Sequence, residues 1–304
     1  MKTHSYTYQA ALEASQRVNW RVEDLIGEHK RLDFSKPFLP ESLARVESLT
    51  FLSPRERLAL NQIRGLGYLY TFGLVEEFIL PFVLDHTRPQ VHGDPWAVRA
   101  LLGFASEEAK HIHLFRRFRE EFEHGFGSTC QEIGPADAVA KAVLGHQPLA
   151  VALTTLHIEW MTQRHWIGGV QDHQELDPLF KSLLRHHWME EAQHSKLDTL
   201  MVEALARPLD GAAIDTAVEE YLEIGGMVDA ALAQQVEFDA DNLARATGRT
   251  LDKAEREAFT AAQIQGQRWT YLGSGMTHPN FAGTLRELRP AAADRVAAIA
   301  PAFC

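Results

Sequence analysis

Three glutamate–histidine pairs in this 304-residue chain stand three residues apart: Glu108–His111, Glu121–His124 and Glu191–His194. On a helix that spacing puts both side chains on one face, about one turn apart. A carboxylate and an imidazole placed this way can reach the same metal ion. Random placement of the chain's glutamates and its 15 histidines predicts about one such pair, so a single pair carries no weight and the arrangement must decide.

The arrangement is a repeat. Glu77 stands 31 residues before Glu108, and Glu159 stands 32 before Glu191. Each half therefore reads as a helix with one glutamate followed by a helix with Glu-x-x-His. At 100° per residue Glu121 lies about 220° from Glu108, which assigns Glu121–His124 to a solvated face. Glu107 and Glu190, each one residue before a motif glutamate, are expected to be either exposed or hydrogen-bonded behind the ligands. Glu76 and Glu77 sit in a helix that is apolar on every side. Glu77 is preferred, because the motif glutamate is the second of the adjacent pair in both 107–108 and 190–191. His187 lies within about 40° of Glu191 and about 20° of His194, so the three share one stripe, whereas His186 points elsewhere. A lone histidine would be read as a hydrogen-bonded core residue; beside a metal motif, His187 is read as a third imidazole ligand. Asp198 continues the stripe, either orienting a ligand imidazole or standing as a plain surface carboxylate.

The expected ligand set is thus Glu77, Glu108, His111, Glu159, His187, Glu191 and His194. Carboxylates with imidazoles suit two iron ions, with manganese possible, over metals that prefer soft ligands. One Glu from each of two helices and Glu-x-x-His from each of the other two is the pattern of carboxylate-bridged dimetal bundles.

The rest of the chain supplies helices to hold this set. Long stretches rich in Ala, Leu, Glu, Gln and Arg are broken by Pro and Gly, and β-branched alternation is scarce. Helices are expected near 6–19, 54–87, 94–124, 135–146, 148–170, 177–206, 211–246 and 252–272. Ser53-Pro54, Asp94-Pro95 and Asp177-Pro178 each place a capping side chain before a first-turn proline. Gly125 and Gly127 are expected to end the second long helix. The fold class is all-α: a ferritin-like four-helix bundle core, about 54–206, with additional N-terminal helices and a C-terminal extension, about 207–304, in one domain. The segment Leu66 to Leu84 is nearly long enough to cross a bilayer, but Glu76 and Glu77 at its centre make it a helix buried in a bundle, where charges need partners.

Composition narrows the function. Lys and Arg total 30 against 41 Asp and Glu, a net charge of −11, and phosphate binding wants the opposite, so nucleic acid is not expected as a partner. Neither is a membrane. Two isolated cysteines, Cys130 and Cys304, build no disulfide framework or Cys-rich metal site, which points to the cytoplasm. The chain has no Gly-rich dinucleotide fingerprint and no Cys cluster for iron–sulfur, so electrons would come from an external reductase.

Glu77, Glu108-x-x-His111, Glu159 and His187-x-x-x-Glu191-x-x-His194 together resemble the p-aminobenzoate N-oxygenase family of di-iron proteins, the extra histidine being the specific element. The stretches SQRVNWRVEDLI and FSKPFLPESL are similar to that family's lead-in, so the resemblance covers roughly residues 15–205. It implies a homodimeric helical bundle that activates O₂ at a reduced di-iron centre. The implied reaction is oxygenation of an amine, free or carrier-tethered, to hydroxylamine, nitroso or nitro. YLGSGMTHPNF, Tyr271 to Phe281, lies outside the resemblance.

Two other functions compete. A di-iron C–H hydroxylase or desaturase shares the ligand pattern. A ferritin-type iron-binding protein does too, but nearly 100 residues beyond the fourth motif helix argue against a cage. A rubrerythrin-like peroxidase would need a Cys₄ site. A purely structural bundle would have to explain carboxylates at the middle of an apolar helix. A substrate pocket is expected between the metal-bearing helices, near Thr155, Leu156 and Trp166 or Tyr70 and Gly73, although plain core packing is the simpler role for those five.

Overall fold

The computed structural model describes residues 4–27 and 29–304, and among these every regular element is helical. In chain order they are α1 (Tyr8–Ser15), α2 (Val22–Leu25), α3 (Glu41–Ala44), α4 (Pro54–Thr87), α5 (Pro95–Phe126), α6 (Ala136–Leu144), α7 (Pro148–His165), α8 (Pro178–Ala206), α9 (Gly211–Thr247), α10 (Lys253–Arg268), α11 (Ser274–Met276), α12 (Pro279–Leu288) and α13 (Pro290–Ile299). The proline-marked starts hold. Ser53 accepts from the Glu56 amide in a reciprocal capping box, Asp94 from Trp96 and Asp177 from Phe180. These contacts satisfy amides that have no partner within the helix.

The core is the expected four-helix bundle. α4 packs along α5, α7 along α8, and α5 faces α8. α4 meets the length and hydropathy of a membrane span, yet most of its apolar window is buried inside the protein. α9 lies across α4 and α7, closing the side of the bundle opposite α5 and α8.

Two corrections concern helix ends. α5 runs through Gly125 and stops at Gly127, whose φ of 79° is the left-handed conformation that ends helices. Gly125 serves a close approach instead: the ring of Phe34 sits where its Cβ would be. α7 and α10 do not simply continue to 170 and 272; each widens into a π-helical turn, Trp166–Val170 and Trp269–Gly273.

The N-terminal segment straps the bundle. α1 packs on α5 and α8. Below it, Phe38 stacks on Phe180 at 4.9 Å and meets Phe122, while the Asn61 side chain accepts from the Phe38 and Leu39 amides and donates to the Leu39 carbonyl. The stretch FSKPFLPESL is thereby a plug at the end of the bundle.

The stretch YLGSGM, left without a role by the sequence, clamps α7. Tyr221 donates to His157 Nδ1 at 2.7 Å, and His157 Nε2 donates to the Tyr271 carbonyl at 3.1 Å. About two helical turns further on, Tyr68 donates to His165 Nδ1 at 3.0 Å and His165 Nε2 donates to Ser274 at 3.1 Å. Each imidazole gives one bond and receives one, which only the neutral ring can do. Burial accordingly pushes the pKa of His157 down to about 4 and that of His165 to about 3. An unfolded histidine protonates near 6.5, so the folded state binds fewer protons below that pH, and the clamp's stability is lost as pH falls from about 6.5 toward 4. The stability margin of wild type over His157→Gln should therefore shrink by up to about 3 kcal/mol between pH 7 and pH 4, measured by denaturant unfolding at each pH; a margin independent of pH would contradict the neutral clamp.

Candidate metal centre

Four helices deliver the cluster. α4 contributes Glu76, α5 Glu108 and His111, α7 Glu159, and α8 His187, Glu191 and His194, all buried. Donor atoms of Glu76, His111, His187 and Glu191 lie within 4.8 Å of one another, and so do those of Glu108, His111, Glu191 and His194. The two groups share His111 and Glu191. Glu159 belongs to neither group but is buried beside Glu191, with Oε2 unpartnered.

The structure turns Glu76, not the expected Glu77, toward the cluster. The Glu77 side chain is 29% exposed and takes an ion pair from Arg116 at 2.6 Å, whereas that of Glu76 is 3% exposed, with Oε1 3.1 Å from His187 Nε2. A signal for this was present. Counting from Glu77 at helical spacing meets Asp85 and Arg88, both polar, while counting from Glu76 meets Leu69, Phe72, Ile79 and Val83, all buried. The analogy with the other two glutamate pairs has no geometric basis, since nothing fixes which member of a pair faces inward on a different helix.

The two histidine motifs support each other across the α5–α8 contact. His111 Nε2 donates to Glu190 at 2.8 Å, and His194 Nε2 donates to Glu107 at 2.8 Å. Each pair's first glutamate thus holds the other pair's histidine from behind, fixing the tautomer so that both Nδ1 atoms turn inward. Outside this ring, Lys110 pairs with Glu190, and the Ser15 hydroxyl donates to Glu107 at 2.5 Å. Trp20, 8% exposed, stacks over His111 with ring centroids 6.2 Å apart. The strap therefore covers the outer side of the cluster, a role the sequence did not reveal.

Glu121 is not solvated as expected: the strap buries it, and the Leu32 amide donates to it at 3.4 Å. His186 does point elsewhere, bonded to the Ser182 carbonyl. Asp198 is fully buried, not a surface carboxylate, and neither of its oxygens has a partner. Burial drives its pKa well up.

Several inward atoms approach closely without bonding. Glu108 Oε1 is 2.9 Å from His194 Nδ1, and His111 Nδ1 is 3.1 Å from Glu191 Oε1, yet both Glu108 oxygens and His111 Nδ1 lack a hydrogen bond. Other inward atoms do pair, His194 Nδ1 with Glu191 Oε2 and His187 Nε2 with Glu76 Oε1, each at 3.1 Å; the atoms left over converge on a common region, which is what a metal ion needs. Charge agrees. Glu76, Glu108, Glu159 and Glu191 carry four negative charges into the interior if ionised, an arrangement too costly without compensation, and two divalent cations would supply it. Without such ions, burial and the adjacent Glu191 push the Glu159 carboxyl well up, while His187 and His194 outweigh burial at Glu191 and hold it well down. The residues present therefore fit a dinuclear centre with Glu191 placed to join both positions.

Beside the centre, Thr155 and Leu156 are plain core, Trp166 stacks on Trp188, Tyr70 lies under Arg119, and Gly73 backs onto Phe115. None of these five lines a chamber at the cluster. The cavities that adjoin it lie one stripe round on α4 and α7, at Thr71, Val75, Thr154 and Ile158, under α9.

Fold and site together define an all-α bundle with a buried carboxylate–imidazole cluster that could hold two metal ions. No protein-family model matches the chain, and no curated protein does. Among solved structures, the chain is similar to an R2-like ligand-binding oxidase variant with an aerobically reconstituted Mn/Fe cofactor (14% identity, 88% of this chain and 94% of that one, TM-score 0.45). It is also similar to a variant with an Fe/Fe cofactor (14%, 88% and 93%, TM-score 0.45) and to one with an anaerobically reconstituted Mn/Fe cofactor (12%, 88% and 93%, TM-score 0.47). At such identities and TM-scores the likeness adds nothing to what the chain's own helices and side chains define.

Proposed function

We propose that this protein is a non-haem dimetal monooxygenase that activates O₂ at the centre formed by Glu76, Glu108, His111, Glu159, His187, Glu191 and His194, and that it transfers one oxygen atom to the nitrogen of an amine. The observation that carries the reading is the pair of overlapping donor sets joined through Glu191 and His111. Two reduced iron ions, or iron with manganese, would supply the electrons that O₂ activation demands.

The chain's own residues do the positioning. Glu107 and Glu190 hold His194 and His111 by their outer nitrogens, so both rings are oriented before any ion arrives. His187 adds a neutral donor on the Glu76 side, which leaves fewer coordination positions open there. Phe104 stacks on His194, and Phe72 and Phe115 stand edge-on to His187, keeping water from the reacting region. One oxygen atom of O₂ goes to substrate and the other to water, which requires two electrons and two protons. Cys130 and Cys304 are free thiols and no redox pair, so an external reductase is the electron source in this reading, with the protein working as a cytoplasmic homodimer.

One observation favours a second reading, oxygenation or desaturation at C–H: the surface of the adjoining cavities is almost wholly apolar. Mixing the reduced, iron-loaded protein with O₂ and a panel of aryl amines, alkylamines and hydrocarbons separates the two by product mass and fragmentation. Oxygen gained on nitrogen supports the first, while oxygen on carbon or loss of two hydrogens replaces it with the second. Absence of any O₂ uptake by the reduced protein would sink both.

A further inference from the structure

Two cavities of about 70 and 160 Å³ lie between α4, α7 and α9, the larger opening toward α6. Both are bounded by Thr71, Val75, Thr154, Ile158, Ile224 and Val228, so they are two parts of one channel. Its outer end carries Met227, which is 41% exposed. Its inner end is walled by Phe72, whose ring also stands edge-on to His187 at 5.3 Å. Along α9 it runs from Tyr221 to Leu232, roughly 16 Å at the helical rise. The stripes that line it on α4 and α7 are next to those bearing Glu76 and Glu159.

No charged side chain lines either cavity, and the polar groups present are already committed. The Thr154 hydroxyl donates to the Ala150 carbonyl at 3.0 Å. His157 is held between Tyr221 and the Tyr271 carbonyl, and the Tyr271 hydroxyl bonds Thr71. An ammonium brought here would lose its hydration and find no counter-charge, at a cost of several kcal/mol. A hydrocarbon would gain about 0.8 kcal/mol for each methylene buried. Gly225 sits on the wall in mid-helix, and a Cβ there would meet nothing closer than Met276 Cε at 3.7 Å. A larger side chain at this position has room to grow only into the channel.

Given the oxygenase reading, we infer that this channel is the substrate site and that the substrate is uncharged, elongated and predominantly hydrocarbon. Aryl amines, neutral at pH 7, qualify; alkylamines, protonated at pH 7, do not.

The test uses metal-loaded protein and the neutral fluorescent probe N-phenyl-1-naphthylamine. The expected result is one probe per chain with blue-shifted emission, displaced by decane and not by decylammonium. Gly225→Leu should weaken probe binding at least tenfold. Ala231→Phe, at the partly exposed mouth, should do the same and keeps the test decisive if the buried variant does not fold. Metal content, measured on the same samples, should be unchanged. Equal probe binding by wild type and a folded plugged variant, or displacement by decylammonium, would overturn the inference. Loss of metal from wild type would instead sink the oxygenase reading, a separate readout from probe binding.

Discussion

Glu76→Ala should fold but no longer hold two metal ions, and Glu77→Ala should be indistinguishable from wild type. The neighbours differ only in direction, and direction decides everything. The Glu76 side chain is buried against His187, within one of the two donor sets. Removing it deletes one donor and one of four interior charges, and the expected metal content after dialysis falls from two ions per chain to one or none. Without metal the variant should be no less stable than wild type, because one member of a buried carboxylate cluster has gone. Glu77 offers only its partly exposed pair with Arg116, a contact worth at most about 1 kcal/mol. Equal metal content in the two variants, or loss from Glu77→Ala alone, would place the α4 ligand wrongly. Elemental analysis of the dialysed proteins reads the answer directly.

Gly275→Ala should destabilise the protein by about 3 kcal/mol, although alanine is the better helix former. A Cβ at this position would fall well inside 3.0 Å of three atoms of the His157 ring. That ring cannot step aside freely, since Tyr221 and the Tyr271 carbonyl hold both its nitrogens. Overpacking of this kind costs about 1–3 kcal/mol, and leaving a buried imidazole or phenol unpaired adds a similar amount. Thermal unfolding should move down by at least about 5 °C. His157→Ala combined with Gly275→Ala should lose less than the two separate losses added together, because the clash vanishes with the ring. A midpoint within 1 °C of wild type for Gly275→Ala would show that the clamp is not as tight as its geometry.

Much of this molecule was legible in its residues. Proline after a capping side chain marked the starts of α4, α5 and α8 to within a residue, because local chemistry alone decides a helix N-terminus. Glu-x-x-His found Glu108, His111, Glu191 and His194, and the stripe from Glu191 found His187, because helical spacing is rigid on a single element. What failed depended on contacts between elements. α4 is apolar all round, so its inward face could be judged only from distant polar positions such as Asp85 and Arg88. Glu121 was assigned to solvent because no local signal showed that residues 31 and 32 would fold over it. Nothing in the sequence announced that Ser15 and Trp20 reach the cluster, or that Glu107 serves His194 from the opposite motif. These are pairings across 87 residues or more, beyond the reach of any periodicity. The short helices α2, α3, α11, α12 and α13 were missed as well. α2 and α3 are single turns shaped by packing, which overrides so weak a local preference.

The account rests on two ions shared among four helices. A crystal structure of the iron-loaded protein, with anomalous scattering measured at the iron edge, tests it most directly. The expected map has two peaks per chain about 3.5–4 Å apart, with Glu191 reaching both, His187 and Glu76 on one side and Glu108 and His194 on the other. A single peak, or peaks lying away from Glu191 and His111, would contradict it.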